Sequence, residues 1–173
     1  DAELTRAVDA LGDCLAQAWA LDWSAAAAAL SNAGSPLVLG RGPTLATAGE
    51  AALKFKETAG LHAEAFSIAE VAHGPMTLVG RHDPVLVLAP LDAARAGLKE
   101  RIADFTARGA TVIATGAWED VSGASLVLPG LDGAHPLVSP LAQIQSFYRL
   151  ANALALLRGR NPDEPPHLAK VTR

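Results

Sequence analysis

Pro36-Leu37-Val38-Leu39-Gly40-Arg41-Gly42-Pro43-Thr44 decides how this chain is read. The apolar run 36–39 is too short for a helix and suits a buried strand. Gly40, Gly42 and Pro43 break it. From Thr44 to about Gly60 the pattern is helical, with Leu45, Ala48, Ala52 and Phe55 as the expected inner face. Strand, tight turn and helix form one unit of an α/β protein. Working outward, the dense apolar runs 84–89, 111–115 and 125–128 read as further buried strands, and 62–66 as a short one. Residues 92–108 read as a helix closed by Gly109 at the cap position. A long helix is expected over 136–159, with Leu141, Ile144, Phe147, Leu150, Ala151 and Leu154 on one side. At the start, Leu4, Val8, Leu11, Leu15 and Trp19 predict one amphipathic helix over 2–19, and an alanine-rich helical stretch runs on to Ser31. Strands alternating with helices predict a three-layer α-β-α sandwich with a mainly parallel sheet, in which ligands bind at the carboxyl ends of the strands. The whole of 1–173 reads as one domain, with 161–173 as a polar tail.

Composition narrows the function classes. A chain of 173 residues builds one domain with a sizeable core. It is 50% hydrophobic and 18% charged, which is a globular composition. The net charge is −4 and no basic stripe interleaves with aromatics, so a nucleic-acid partner is not expected. No apolar run reaches the roughly 18 residues of a membrane span, and nothing resembles a signal peptide. A cytoplasmic protein with no membrane partner is therefore expected. Cys14, the single cysteine, excludes an internal disulfide and reads as a core thiol. The chain opens on Asp1 and its one methionine is Met76, so a piece of a longer protein is expected.

Four stretches could carry chemistry. The backbone amides of Gly40-Arg41-Gly42 could face an anion at a helix start. Leu45 stands where a dinucleotide fingerprint needs glycine, and no Gly-Lys-Ser/Thr follows, so the other reading is a tight turn. Lys54 and Glu57, three apart, share a helix face. Near a helix C-terminus the macrodipole disfavours a carboxylate's charge, which suits Glu57 to act as a base; an ordinary solvated ion pair is the alternative. His62 and Glu64 would face one side of a strand. Glu70 and His73 precede the rigid Gly74-Pro75, and an imidazole titrates near neutrality. These spacings are not those of common zinc sites, so no metal is expected. Last comes Pro165-Pro166-His167-Leu168-Ala169-Lys170-Val171-Thr172-Arg173. A docked tail would bring Lys170 into a site where lysine can form a Schiff base with a carbonyl; a frayed terminus is the other reading.

The order of these signals is more specific than any one of them. Leu39-Gly40-Arg41-Gly42, Glu50-Ala51-Ala52-Leu53-Lys54-Phe55-Lys56-Glu57, His62-Ala63-Glu64-Ala65, Glu70-x-x-His73-Gly74-Pro75 and Leu168-Ala169-Lys170 form one series. It resembles the sugar-isomerase (SIS) family, and within it the second SIS domain of glucosamine-6-phosphate synthase and its relatives that lack a glutaminase domain. The likeness spans nearly the whole chain.

The resemblance implies a flavodoxin-like topology and a set of roles. Glu57 would move a proton between C1 and C2 of the open-chain sugar, and Lys54 would support the enediol-like intermediate. His73 would help to open the ring, reaching into the neighbouring site of a homodimer. Lys170 would close the site from the tail 161–173, with the backbone of Ala169 touching substrate; Gly40, Arg41 and Gly42 would contribute to binding. No cofactor is demanded. Two departures are visible: no N-terminal nucleophilic cysteine is present, and Gly42-Pro43-Thr44 is a poor version of the phosphate-binding Ser/Thr cluster of a first SIS domain. The chain is therefore expected to be the C-terminal half of a two-SIS protein, with the first SIS domain as partner. The leading expectation is a deaminating isomerase taking glucosamine-6-phosphate to fructose-6-phosphate and ammonia. The alternatives are the isomerase part of a glutamine-dependent synthase and a non-catalytic phosphosugar sensor.

Overall fold

The computed structural model describes residues 1–116, 118–131 and 133–166. Five parallel strands form one sheet: β1 Leu37–Gly40, β2 Glu64–Ser67, β3 Pro84–Leu88, β4 Thr111–Thr115 and β5 Leu126–Leu128, in the order β2-β1-β3-β4-β5. The chain reverses its direction of travel across the sheet between β1 and β3, as in doubly wound flavodoxin-like proteins. The helices are α1 Ala2–Asp9, α2 Leu11–Ala20, α3 Ser24–Leu30, α4 Pro43–Lys54, α5 Leu98–Ala107, α6 Trp118–Val121 and α7 Ser139–Leu157.

Strand residues alternate between two cores. Val38, Leu86, Leu88, Ile113 and Leu128 face α3, α4 and α7. Leu37, Leu39, Val85, Val87, Val112 and Ala114 face the other layer, where α5 contributes Leu98, Ile102 and Phe105. The expected sandwich and its five strands are therefore present. Phe55 and Phe147 are fully buried in the first core, edge to face with centroids 4.8 Å apart.

The expected helices need four corrections. Residues 2–19 form α1 and α2, interrupted at Ala10 (φ −87°, ψ 6°). Residues 92–108 do not form one helix. Asp92 caps a short 3₁₀ turn, Ala93–Arg95, by accepting from the Ala94 amide, and left-handed Gly97 then separates it from α5. Leu45 and Leu141 are 38% and 46% exposed and so lie outside the core. In α4 the buried stripe runs through Thr44, Thr47, Ala48, Ala51 and Ala52. Hydroxyls can take these places because they are satisfied: Thr44 Oγ1 accepts from the Arg41 amide, and Thr47 Oγ1 donates to Pro140 O. Finally, Cys14 is half-buried, not core, and that burial pushes its thiol pKa up.

Gly40 ends β1 where α4 crosses close above it. A Cβ there would press on the Thr44 carbonyl and come 2.8 Å from Leu45 N, both backbone atoms. Gly40→Ala is expected to destabilise the domain by about 1–3 kcal/mol through this overpacking, measured as a lowered urea midpoint.

Candidate active site

Helix α4 starts at the carboxyl end of β1 and runs back along the sheet. Its 12 residues span about 18 Å, so its last turn reaches the amino edge. There the helix widens into a π-turn, Phe55–Ala59, closed by left-handed Gly60 (φ 62°), whose amide reaches Phe55 O. Immediately after it, the His62 amide donates to Gly34 O and the Glu64 amide to Pro36 O, which ties the turn to the start of β1.

The loose carbonyls of this helix end are held by side chains. Thr58 Oγ1 donates to Lys54 O at 2.8 Å. Arg158, just past α7, donates from Nε to Ala59 O and from one terminal nitrogen to Ser31 O and Ala33 O. One guanidinium thus joins the ends of α3, the π-turn and α7, and its charge suits a helix C-terminus.

On this end sits a charged network. Lys54 Nζ lies 2.7 Å from Glu57 Oε2 and 3.7 Å from Glu50 Oε1. Tyr148 Oη, from α7, donates to that same Glu50 oxygen at 3.1 Å. Side-chain exposure is 30% for Lys54, 26% for Glu57 and 34% for Glu50, so the network borders solvent. The hydrogen bond to Glu57 holds the Lys54 ammonium above its ordinary pKa. Lysine therefore stays charged through the neutral range, and the stability linked to its raised pKa is present below the ordinary lysine value and lost as pH rises through the raised one. Helices α4 and α7 also expose Leu45, Leu53 and Leu141.

The other candidates lie elsewhere. Gly40, Arg41 and Gly42 sit at the opposite end of α4 from Glu57. Their polar groups are engaged by the protein itself: within the turn Thr44 Oγ1 takes the Arg41 amide and Gly42 O accepts from Leu45 N, and the Arg41 guanidinium donates across to Ala96 O. His73 ends the 3₁₀ turn Glu70–His73 that follows β2 and is exposed, anchored between buried Val71 and Met76. No hydrogen bond or ion pair among the described residues joins it to Lys54 or Glu57. His62 and Glu64 line a cavity of about 350 Å³ at the amino edge, with Ser35, Leu78 and Asp83. Among the described residues no group of three or more His, Cys, Asp or Glu is placed to hold a metal. A second cavity, about 200 Å³, lies between the ends of β4 and β5 and the start of α7, lined in part by Thr115, Ser139 and Gln143; none of the candidate acid–base residues lines it. Ala169 and Lys170 lie outside the described residues.

Residues 29–120 match the SIS-domain family model. The chain belongs to the SIS family. This SIS domain is 38% identical over 132 residues to the glutamine–fructose-6-phosphate aminotransferase [isomerizing] of Thermococcus kodakarensis, covering 76% of the chain and 22% of the relative. A crystal structure from Silicibacter pomeroyi DSS-3, designated a phosphosugar isomerase, superimposes with a TM-score of 0.85 at 45% identity, over 94% of this chain and 49% of that one. The C-terminal domain of glucosamine-fructose-6-phosphate aminotransferase from Francisella tularensis does so with a TM-score of 0.70 at 25% identity, over 91% and 43%. The SIS domain thus spans about a quarter of the curated relative and about half of each solved chain. No helix among its described residues is long and apolar enough to cross a membrane.

Sequence reasoning paired Lys54 with Glu57 and missed the rest of the network. Glu50 was visible as the i−4 neighbour of Lys54, an arrangement that favours ion pairing. Tyr148 was not, because its bond to Glu50 spans 98 residues and depends on how α7 packs against α4.

Proposed function

We propose that this SIS domain is the isomerase part of a glutamine-dependent glucosamine-6-phosphate synthase, acting on the open-chain form of a hexose 6-phosphate. Glu57 is the base that carries a proton between C1 and C2. Lys54 supplies the nearby positive charge that steadies the developing oxyanion. His73 serves ring opening in a neighbouring site, and Lys170 and Ala169 close the site from the tail. The observation that carries this reading is the Lys54–Glu57 pair, partly exposed on a braced helix end with exposed apolar side chains on the same helices. Such a site is completed by another surface: the first SIS domain of the longer protein supplies the phosphate-binding groups, and a second copy supplies its His73. The turn Gly40-Arg41-Gly42 enters as the start of α4, and any contact it makes with substrate is secondary.

The aminotransferase relative favours the synthase over the deaminase. A stand-alone deaminase is the second reading. It is supported by the 45%-identical structure, whose chain is only about twice as long as this one.

The test uses the full-length parent protein and fructose-6-phosphate in D₂O. Solvent deuterium should appear at C1 of the sugar, and glucosamine-6-phosphate should form when glutamine is added. Ammonia release from glucosamine-6-phosphate without any response to glutamine would select the deaminase. Sugar-phosphate binding with no exchange at all would point to a sensor and defeat both enzymatic readings.

A further inference from the structure

Lys54 has two carboxylates within reach, one turn to either side, and a third residue fixes one of them. Its ammonium rests on Glu57 at 2.7 Å and stands 3.7 Å from Glu50. The Glu50 oxygen it faces is the one that accepts the Tyr148 hydroxyl, so that oxygen is held in place from a separate helix. We propose that Lys54 moves from Glu57 to Glu50 during turnover, and that Tyr148 is a positioning residue that keeps Glu50 ready to receive it. This rests on the reading of Glu57 as the base.

The chemistry gives such a movement a use. An ammonium at 2.7 Å takes up one of the lone-pair sites of the Glu57 carboxylate. Moving it to Glu50 frees that site to take a proton from carbon. Lysine carries a compact charge on a flexible stem, and partly exposed side chains change rotamer on the picosecond-to-nanosecond scale. Moving from one carboxylate to the other replaces one ion pair by another, so the exchange leaves the number of pairs unchanged.

A neutral phenol suits the fixing role better than a second cation would. An arginine or lysine on Glu50 would neutralise the seat and repel Lys54. Tyr148 keeps its proton, because burial and the Glu50 carboxylate both push its pKa up. The titratable groups that act on Lys54 are Glu57, Glu50 and Tyr148, and those that act on Tyr148 are Glu50 and Lys54.

The experiment measures deuterium exchange and turnover against pH in the full-length protein with Tyr148→Phe, Glu50→Gln and Glu57→Gln. Tyr148→Phe should lower kcat roughly tenfold, and Glu50→Gln roughly 10–100-fold, less than the roughly 10²–10⁴-fold of an acid–base group itself, because both act through Lys54. KM should stay within about twofold, because ground-state binding is untouched. The acid limb of the kcat profile should move to lower pH in both variants, because Lys54 then stays on Glu57 and favours its charged form. Wild-type kcat and profile in both variants would overturn the proposal. So would a lowered kcat with an unmoved acid limb, which would leave Tyr148 a packing role alone. Those results combined with an inactive Glu57→Gln defeat only the lysine movement, whereas an active Glu57→Gln defeats the assignment of the base.

Discussion

Glu57→Gln should slow proton exchange between C1 and C2 about a thousandfold, within the range that general-base removal produces, while the domain stays folded. The amide keeps the shape of the carboxylate but cannot take up the proton. Folding should survive because the side chain is only partly buried and its Lys54 partner is also solvated. An ion pair so exposed contributes about 1 kcal/mol or less. The pair of measurements is deuterium incorporation into fructose-6-phosphate and a thermal melt of the same preparation. Retained exchange with an unchanged melt would place the base on another residue. A collapsed melt would instead show that the braced turn depends on this charge.

Phe147→Ala should be the most damaging change to the fold, costing about 3–5 kcal/mol of a total stability that is about 5–15 kcal/mol for domains in general. The ring is fully buried and meets Phe55 edge-on at 4.8 Å and 73°. Phe55 is the first residue of the π-turn that carries Glu57, so the hole would open directly beneath the candidate site. A urea titration should show the lowered midpoint, and Phe147→Leu should recover part of it by refilling some of the volume. Wild-type stability in Phe147→Ala would mean that the helices close over the gap. In that case the π-turn is braced by Arg158 and its neighbours and not by the aromatic pair.

What could be read from the sequence follows physical rules. The strands were legible because each is a short apolar run bounded by turn residues, and all five fall within a few residues of their expected places. Helix faces were harder. Leu45 and Leu141 belong by hydrophobicity to the core, but tertiary packing buries Thr44, Thr47, Ser139 and Gln143 instead. Buried hydroxyls and amides whose acceptors lie far along the chain, as Pro140 O does for Thr47 and Ala89 O for Gln143, are invisible to a hydrophobic pattern. The break at Gly97 depends on a left-handed backbone that any glycine permits and few require. In the candidate site the Lys54–Glu57 spacing was legible because helix geometry is local. Its location at the amino edge was not, because the strand-end rule directs attention to Gly40–Gly42. Tyr148 and Arg158 act across the length of the chain and leave no local signature.

Arg158 also gives the site a timetable. The carbonyl it holds at the π-turn, Ala59 O, belongs to a residue synthesised 99 positions earlier. At translation rates of about 5–20 residues per second, Ala59 waits on the order of 5–20 s for that guanidinium to be made. For all of that time α4 is already made and β2 soon follows, while the turn bearing Glu57 has no brace from Arg158. The brace on the turn bearing Glu57 therefore arrives only with Arg158, just past α7, and a nascent chain stalled before that point would carry the strands without it.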